Sequence, residues 1–473
     1  MRTTGRTTLL ALLLLAPLAH VAVASADDRL IAAARRDDAM AVRALLKTGA
    51  KADAPQGDGA TALHWAAHWD NLAMAEALIA AGAKANAAND LGVTPLWIAC
   101  LNGNEPIADR LLKAGADPNR ALPSGETPLM VASRTGAVPV VKLLLARGAN
   151  VNAREAAKSQ TALMWAVSEK HADVVKVLVE GGADVTARSA VRKRRVNTDA
   201  AGFGAGVVQD VEQGGFTALL FAARHGDLAS ARILLDRGAL PNDTAPDGTT
   251  ALVVASHSGH GALAALLLER GANPNATAAG YSALHLAIVR EDAALAKALL
   301  DKGADPNAPV ERGTGMRRAS PDYALESPTI GAPPLWLAAR FAQPAVMRLL
   351  MAGGAKAIGP SKDGTSLVLA AAQGTRRVEP GFTRDVAEDE RLVAEAVEIA
   401  LGLGADINSA TKDGNTALHV AAQRRMKSVI RVLVGKGAVL NKKNLKGQTP
   451  IALVGRDAAN ESVAQLLREL GAE

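Results

Sequence analysis

Two pairs of histidines have the spacing that metal chemistry asks for. His64 and His68 stand at i and i+4, and His257 and His260 at i and i+3. On a helix either spacing presents two imidazoles on one face, as a zinc site needs. No third ligand lies near either pair, so the pattern stops short of a metal centre. Cys100 is the single cysteine, which excludes an internal disulfide, and no CxxC or CxxCH motif serves zinc or haem. No serine elbow or paired-carboxylate motif is found. Gly202, Gly204 and Gly206 lack the flanking strand and helix of a nucleotide loop. These residues assign no catalytic, metal or cofactor-binding site, so the chain reads as a non-enzyme with no cofactor.

What positions these side chains is a repeat. A Gly-Ala pair begins at residues 49, 82, 115, 148, 182, 238, 271, 303, 354, 404, 437 and 471. Eight of the steps lie within one residue of 33, and the other three are longer by 23, 18 and 17. Between the pairs runs a second signature, as in Thr61-Ala62-Leu63-His64, Thr94-Pro95-Leu96-Trp97 and Thr127-Pro128-Leu129-Met130. Thr is a good helix N-cap, and Pro fits the first helical position because no amide hydrogen is missed there. Paired alanines follow (Ala66-Ala67, Ala222-Ala223, Ala421-Ala422), small enough to let helices lie close together. A second apolar helix, such as Val140 to Ala146, ends at the glycine of the next Gly-Ala pair. Asp-Gly pairs before the Thr, at Asp247-Gly248, Asp363-Gly364 and Asp413-Gly414, favour tight hairpin turns. Aromatic residues make up only 3% of a chain that is 49% hydrophobic, which suits thin layers of closely packed helices.

These residues resemble the ankyrin repeat, whose pattern runs D-x-x-G-x-T-P-L-H-x-A-A, then a Leu-rich helix and G-A-D-x-N. Asp117-Pro118-Asn119, Asn150-Val151-Asn152 and Asp305-Pro306-Asn307 reproduce its last part. The likeness covers about residues 27 to 473 and implies an all-α repeat solenoid of stacked helix-turn-helix units with β-hairpin-like finger turns. The expected organisation is a capping half-repeat at 27–55, repeats 1–4 at 56–186, 5–7 at 214–307 and 8–11 at 332–473. Insertions at 187–213, 308–331 and 375–390 interrupt it, read as elongated loops that either add specificity or are tolerated at the surface. The first is basic (Arg188, Arg192, Lys193, Arg194, Arg195); the second holds Arg312, Arg317, Arg318, Asp322 and Tyr323, a set able to contact a small anion. Val454-Gly455 stands where the last repeat needs an alanine pair, which implies a frayed C-terminal cap.

The resemblance also assigns roles. His64, His285 and His419 share one position in the signature, where the family's His steadies the turn by hydrogen bonding. Cys100 replaces an alanine of the pair and reads as a buried small hydrophobe; Trp65 and Trp165 read as packing between repeats. The end of each first helix faces the family's concave groove. There stand His68, Trp69, Arg134, Arg224, His225, His257, Arg290, Arg340, Phe341, Arg424 and Arg456. Arg interleaved with aromatics suits partner recognition, although Arg could simply solubilise the surface.

Residues 1–26 read as a Sec-type signal peptide: Arg2 and Arg6, an apolar run from Leu9 to Leu18, then Ala24-Ser25-Ala26. The run is short for a membrane span, and no later segment has the length of one, so no stable membrane insertion is expected after cleavage. The net charge of +6 falls to +4 once Arg2 and Arg6 leave, too weak a bias to name nucleic acid as partner. The expectation is a periplasmic or secreted scaffold that binds a protein, with acidic character suiting the basic row. The alternatives are a secreted effector acting on a host protein, and a scaffold with a small-ligand site in its insertions.

Overall fold

Threonine caps, alanine pairs and glycine stops do build paired helices. The computed structural model describes residues 25–197, 208–313, 329–357, 364–375, 385–455 and 458–473, and the chain divides into two compact units. One comprises residues up to Val191 together with Gly214–Leu240; the other comprises Arg192–Gln213 and Pro241–Glu473.

The first unit holds six helix pairs: α1 (Ala26–Arg35) with α2 (Ala39–Lys47), α3 (Ala62–His68) with α4 (Leu72–Ala80), α5 (Pro95–Asn102) with α6 (Glu105–Lys113), α7 (Pro128–Arg134) with α8 (Val138–Ala146), α9 (Ala162–Ser168) with α10 (Ala172–Glu180), and α11 (Ala218–His225) with α12 (Leu228–Asp236). Each first helix packs on its own partner and on the first helix of the next pair. The second unit repeats the scheme with α13 (Ala251–Ser258) and α14 (Gly261–Glu269), α15 (Ala283–Val289) and α16 (Ala293–Asp301), α17 (Pro334–Arg340) and α18 (Pro344–Ala352), α19 (Leu367–Ala372) and α20 (Val386–Gly402), and α21 (Ala417–Gln423) and α22 (Lys427–Gly435). It closes with a 3-10 turn (Ile451–Leu453) and α23 (Ala458–Glu469). This is an all-α repeat solenoid.

Local chemistry explains the pairs. Thr94 Oγ1 accepts from the Trp97 amide at 3.2 Å, and Thr250 Oγ1 from that of Val253 at 3.3 Å. Asn71, Asn104, Asp227 and Asp292 cap second helices the same way. Gly115, at φ +87°, ends α6 so that the Ala116 amide reaches back to Leu111 O at 3.0 Å. Both alanines of Ala66-Ala67, Ala222-Ala223 and Ala421-Ala422 are fully buried, and Met74, Leu78, Leu111 and Leu144 fill the layer beside the second helices. Each such large side chain contributes roughly 1.5–3 kcal/mol by leaving water. An asparagine ladder ties neighbouring loops: Asn119 donates from Nδ2 to Gly148 O (3.0 Å) and accepts at Oδ1 from the Asn150 amide (2.7 Å). Asn86, Asn152, Asn242, Asn275 and Asn307 repeat it.

Four places differ from the simple reading. The capping segment, expected as a half-repeat, carries a full helix pair, α1 and α2. The first insertion holds two paired strands, β1 (Val191–Asn197) and β2 (Val208–Gly214), where a loop was expected. Gly202, Gly204 and Gly206 lie outside the described residues, as do Arg317, Arg318, Asp322 and Tyr323 of the second insertion. In the third insertion, residues 386–390 are the start of α20, a 17-residue helix capped by Asp385. In the last repeat the first helix shrinks to the 3-10 turn, as the missing alanine pair implies.

Candidate functional site

The signature histidines are built into the turns. His64 Nδ1 accepts from the Thr61 amide at 3.0 Å, and Nε2 lies 3.0 Å from Val93 O in the next finger. His285 does the same between Ser282 and Ala308, and His419 between Thr416 and Gln448. An imidazole that accepts a backbone N–H at Nδ1 and donates at Nε2 is neutral. Burial holds His64 and His285 down to about 4 and lowers His419 as well. With both His64 nitrogens engaged, the i, i+4 pair does not converge on a metal. Instead His68 lies between two indoles, its ring 5.7 Å from Trp65 and 4.6 Å from Trp69. Among the described residues no three His, Cys, Asp or Glu side chains gather as metal ligands. Cys100 is buried, which pushes its thiol far up.

In the first unit the ends of the first helices carry an aromatic and basic row. Trp69 is 44% exposed, and its indole N–H donates to Arg35 O at 3.2 Å, which fixes the ring. The Arg35 guanidinium lies 5.5 Å from the Trp65 ring centre. Arg134 sits over Trp165 at 5.0 Å and pairs with Glu126 at 3.5 Å. Arg224 is exposed and His225 half-buried, the latter stacked on Phe221 at 6.4 Å.

In the second unit His257 is exposed, while Arg290, Arg340 and Arg424 are half-buried. Phe341 departs from expectation. It is only 8% exposed at the C-cap of α17, a packing residue rather than a contact surface. Arg456 lies outside the described residues. Arg340 and Arg424 come together. Arg340 Nη1 donates to Gln373 O at 3.0 Å; Arg424 Nη1 donates to Ala372 O at 2.7 Å and its Nη2 to Thr375 Oγ1 at 3.3 Å. Both guanidiniums thus meet the C-terminal end of α19. They line an open cleft of about 390 Å³ with Gln373, Thr411, Asp413, Asn415, Val420 and Gln423.

Sequence reasoning missed a capping role played at and beside this row. A helix leaves its last four carbonyls without intrahelical partners, and side chains from the following repeat supply some of them. Trp69 does so for α1, and Asn102 Nδ2 reaches Ala67 O (3.1 Å) and His68 O (3.2 Å) at the end of α3. His171 Nε2 lies 3.0 Å from Arg134 O, and Gln343 Nε2 donates to Ile288 O at 2.7 Å. For Trp69 and Asn102 the signal was available as a polar or aromatic side chain about 34 residues after the preceding helix end.

The family described as "Ankyrin repeats (3 copies)" matches residues 30–122, 119–189, 219–310 and 386–473, well over half of the chain. Protein PhlB of Serratia liquefaciens is 42% identical over 67 residues, 13% of this chain and 30% of that protein. Inversin of Gallus gallus is 33% identical over 76 residues, 16% of this chain and 7% of its own length. The chain therefore spans less than a third of either relative.

Proposed function

Because the chain belongs to the ankyrin repeat family, a class of protein-interaction scaffolds, we propose that it binds an exported protein partner through the first-helix ends and finger turns, in the periplasm or outside the cell. Trp69 carries the reading. A large aromatic side chain, half exposed yet fixed by its hydrogen bond to Arg35 O, binds with little entropy left to lose. His68 and Arg224 extend the surface within the same unit. The location rests on the signal-like residues 1–26, of which 1–24 lie outside the described residues. Among the described residues no helix is long and apolar enough to cross a membrane.

The test is affinity capture from the exported fraction of the native cell, comparing the parent chain with Trp69→Ala and Arg224→Ala. Loss of the same captured protein, with helical circular dichroism unchanged, is the expected result. Undiminished capture would refute this choice of face. Mass analysis of the exported chain should find a new N-terminus beyond the apolar run; an intact Met1 would remove the export reading.

A further inference from the structure

We infer that the exported chain begins at Ser25, the N-cap of α1, after signal peptidase cuts the Ala24–Ser25 bond. The inference rests on the export reading above and moves the cut two residues back from the Ala26–Asp27 bond.

Residue types alone allow either bond. Signal peptidase needs small side chains one and three residues before its cut. Ala22 and Ala24 meet that need for a cut before Ser25, and Ala24 and Ala26 meet it for a cut before Asp27. The start of the first unit separates the two. Ser25 Oγ accepts from the Asp28 amide at 3.1 Å, while Asp28 Oδ2 accepts from Ser25 N at 3.1 Å and from Ser25 Oγ at 2.8 Å. This is a reciprocal capping box. Ser25 O also takes the first helical bond, from the Arg29 amide at 3.0 Å.

A cut before Asp27 removes Ser25 and every one of these bonds. It also sets a new ammonium on the first turn of α1, where unpaired amide hydrogens already make the helix end positive. A cut before Ser25 keeps the box and strengthens one side of it. Ser25 N becomes an ammonium that faces Asp28 Oδ2, with Asp27 a second carboxylate in the same turn. Asp27 Oδ1 in turn accepts from the Lys51 amide at 2.8 Å, which fixes the start of α1 to the chain that follows α2.

Access to the two bonds differs as well. Ser25 is exposed, and at φ −56° and ψ 161° its backbone is extended, the form a protease cleft accepts. The Ala26–Asp27 bond lies inside α1, so cutting it requires the first turn to unwind. As the unit folds, that bond closes to the enzyme while the bond before Ser25 stays ahead of the helix. The step is a hydrolysis and needs no other reactant. The C–N bond breaks, water's oxygen completes the Ala24 carboxylate, and both its protons end on the Ser25 nitrogen.

The experiment expresses the full chain in a cell with a Sec pathway and sequences the N-terminal peptide of the exported product by mass spectrometry. A start at Ser25 is expected. A start at Asp27, or anywhere else beyond the apolar run, overturns the inference and leaves export standing. An intact Met1 overturns the export reading and the inference with it. A second measurement tests the physical reason. Chains made to begin at Ser25 and at Asp27 are compared by hydrogen exchange over residues 29–35, corrected for intrinsic rates. Loss of the cap should speed exchange there about fivefold in the shorter chain. Equal protection in the two chains would overturn the inference.

Discussion

Mild acid should loosen each unit through its buried histidines, one imidazole at a time. His64 and His285 have folded values near 4, against an ordinary 6.5, because burial penalises the imidazolium. Protonation would also set a second N–H against the backbone N–H that Nδ1 accepts from. Since the folded values lie below the unfolded ones, the stabilisation is fully present above pH 6.5 and is lost as pH falls from there towards 4. The loss is about 1.4 kcal/mol per pH unit for each group, so moving from pH 7.5 to 5 costs about 2 kcal/mol per histidine. The two lie in different units, so they can be read separately. Hydrogen exchange, corrected for its intrinsic pH dependence, should show faster opening of residues 62–68 and 283–289 at pH 5. His64→Gln replaces the titrating ring with a residue that completes a capping box and cannot ionise. It should abolish the acid sensitivity at 62–68 and leave that at 283–289 unchanged. Equal acid sensitivity at 62–68 in parent and variant would refute the reasoning.

Three other outcomes follow from geometry. Gly414→Ala should lower the second unit's stability by about 1–3 kcal/mol in urea titration, since a Cβ at φ +79° would meet the Leu445 amide nitrogen at 2.8 Å. Trp336→Phe removes the indole N–H that donates to Thr365 O at 2.9 Å; thermal unfolding should report a loss of about 1–3 kcal/mol from the orphaned carbonyl. Cys100 should resist iodoacetamide in the native chain at pH 8 and react fully in denaturant, as mass spectrometry can follow, because its thiol is fully buried.

The helices were legible because each rule acts within a few residues: Thr94 caps, Pro95 starts, Gly115 stops. The start of α20 was legible too. Asp385 caps the helix, Glu388 and Asp389 suit its first turn, and only the expectation of a loop hid it. The strands were not. The run Arg192 to Arg195 shows no alternation of apolar and polar residues, and the register is set from outside, by Ser189 N donating to Phe216 O at 3.0 Å. Repeat position picked out the first-helix ends, but not the capping contacts made there. Arg424 finds its carbonyl 52 residues earlier, and Phe341 is buried among its neighbours rather than exposed. Such contacts exist only once the repeats are stacked.

Short helices give positions proposed for recognition a part in folding as well. A first helix of six to ten residues ends with carbonyls its own chain leaves uncapped, and the next repeat can reach across to them. Trp69, Asn102, Gln343 and Arg424 all do this, and substituting any of them exposes a neighbour's helix end as well as altering the surface. The repeats of Arg224 and His257 solve the problem differently. Gly226 and Gly259, at φ +69° and +76°, close α11 and α13 with left-handed caps. Both side chains are exposed there. A glycine cap does not by itself free the side chain before it: Asn102 precedes Gly103, at φ +70°, yet caps the end of α3. Within the first unit, the proposed contact at Trp69 is one whose position folding has already settled, through its hydrogen bond to Arg35 O.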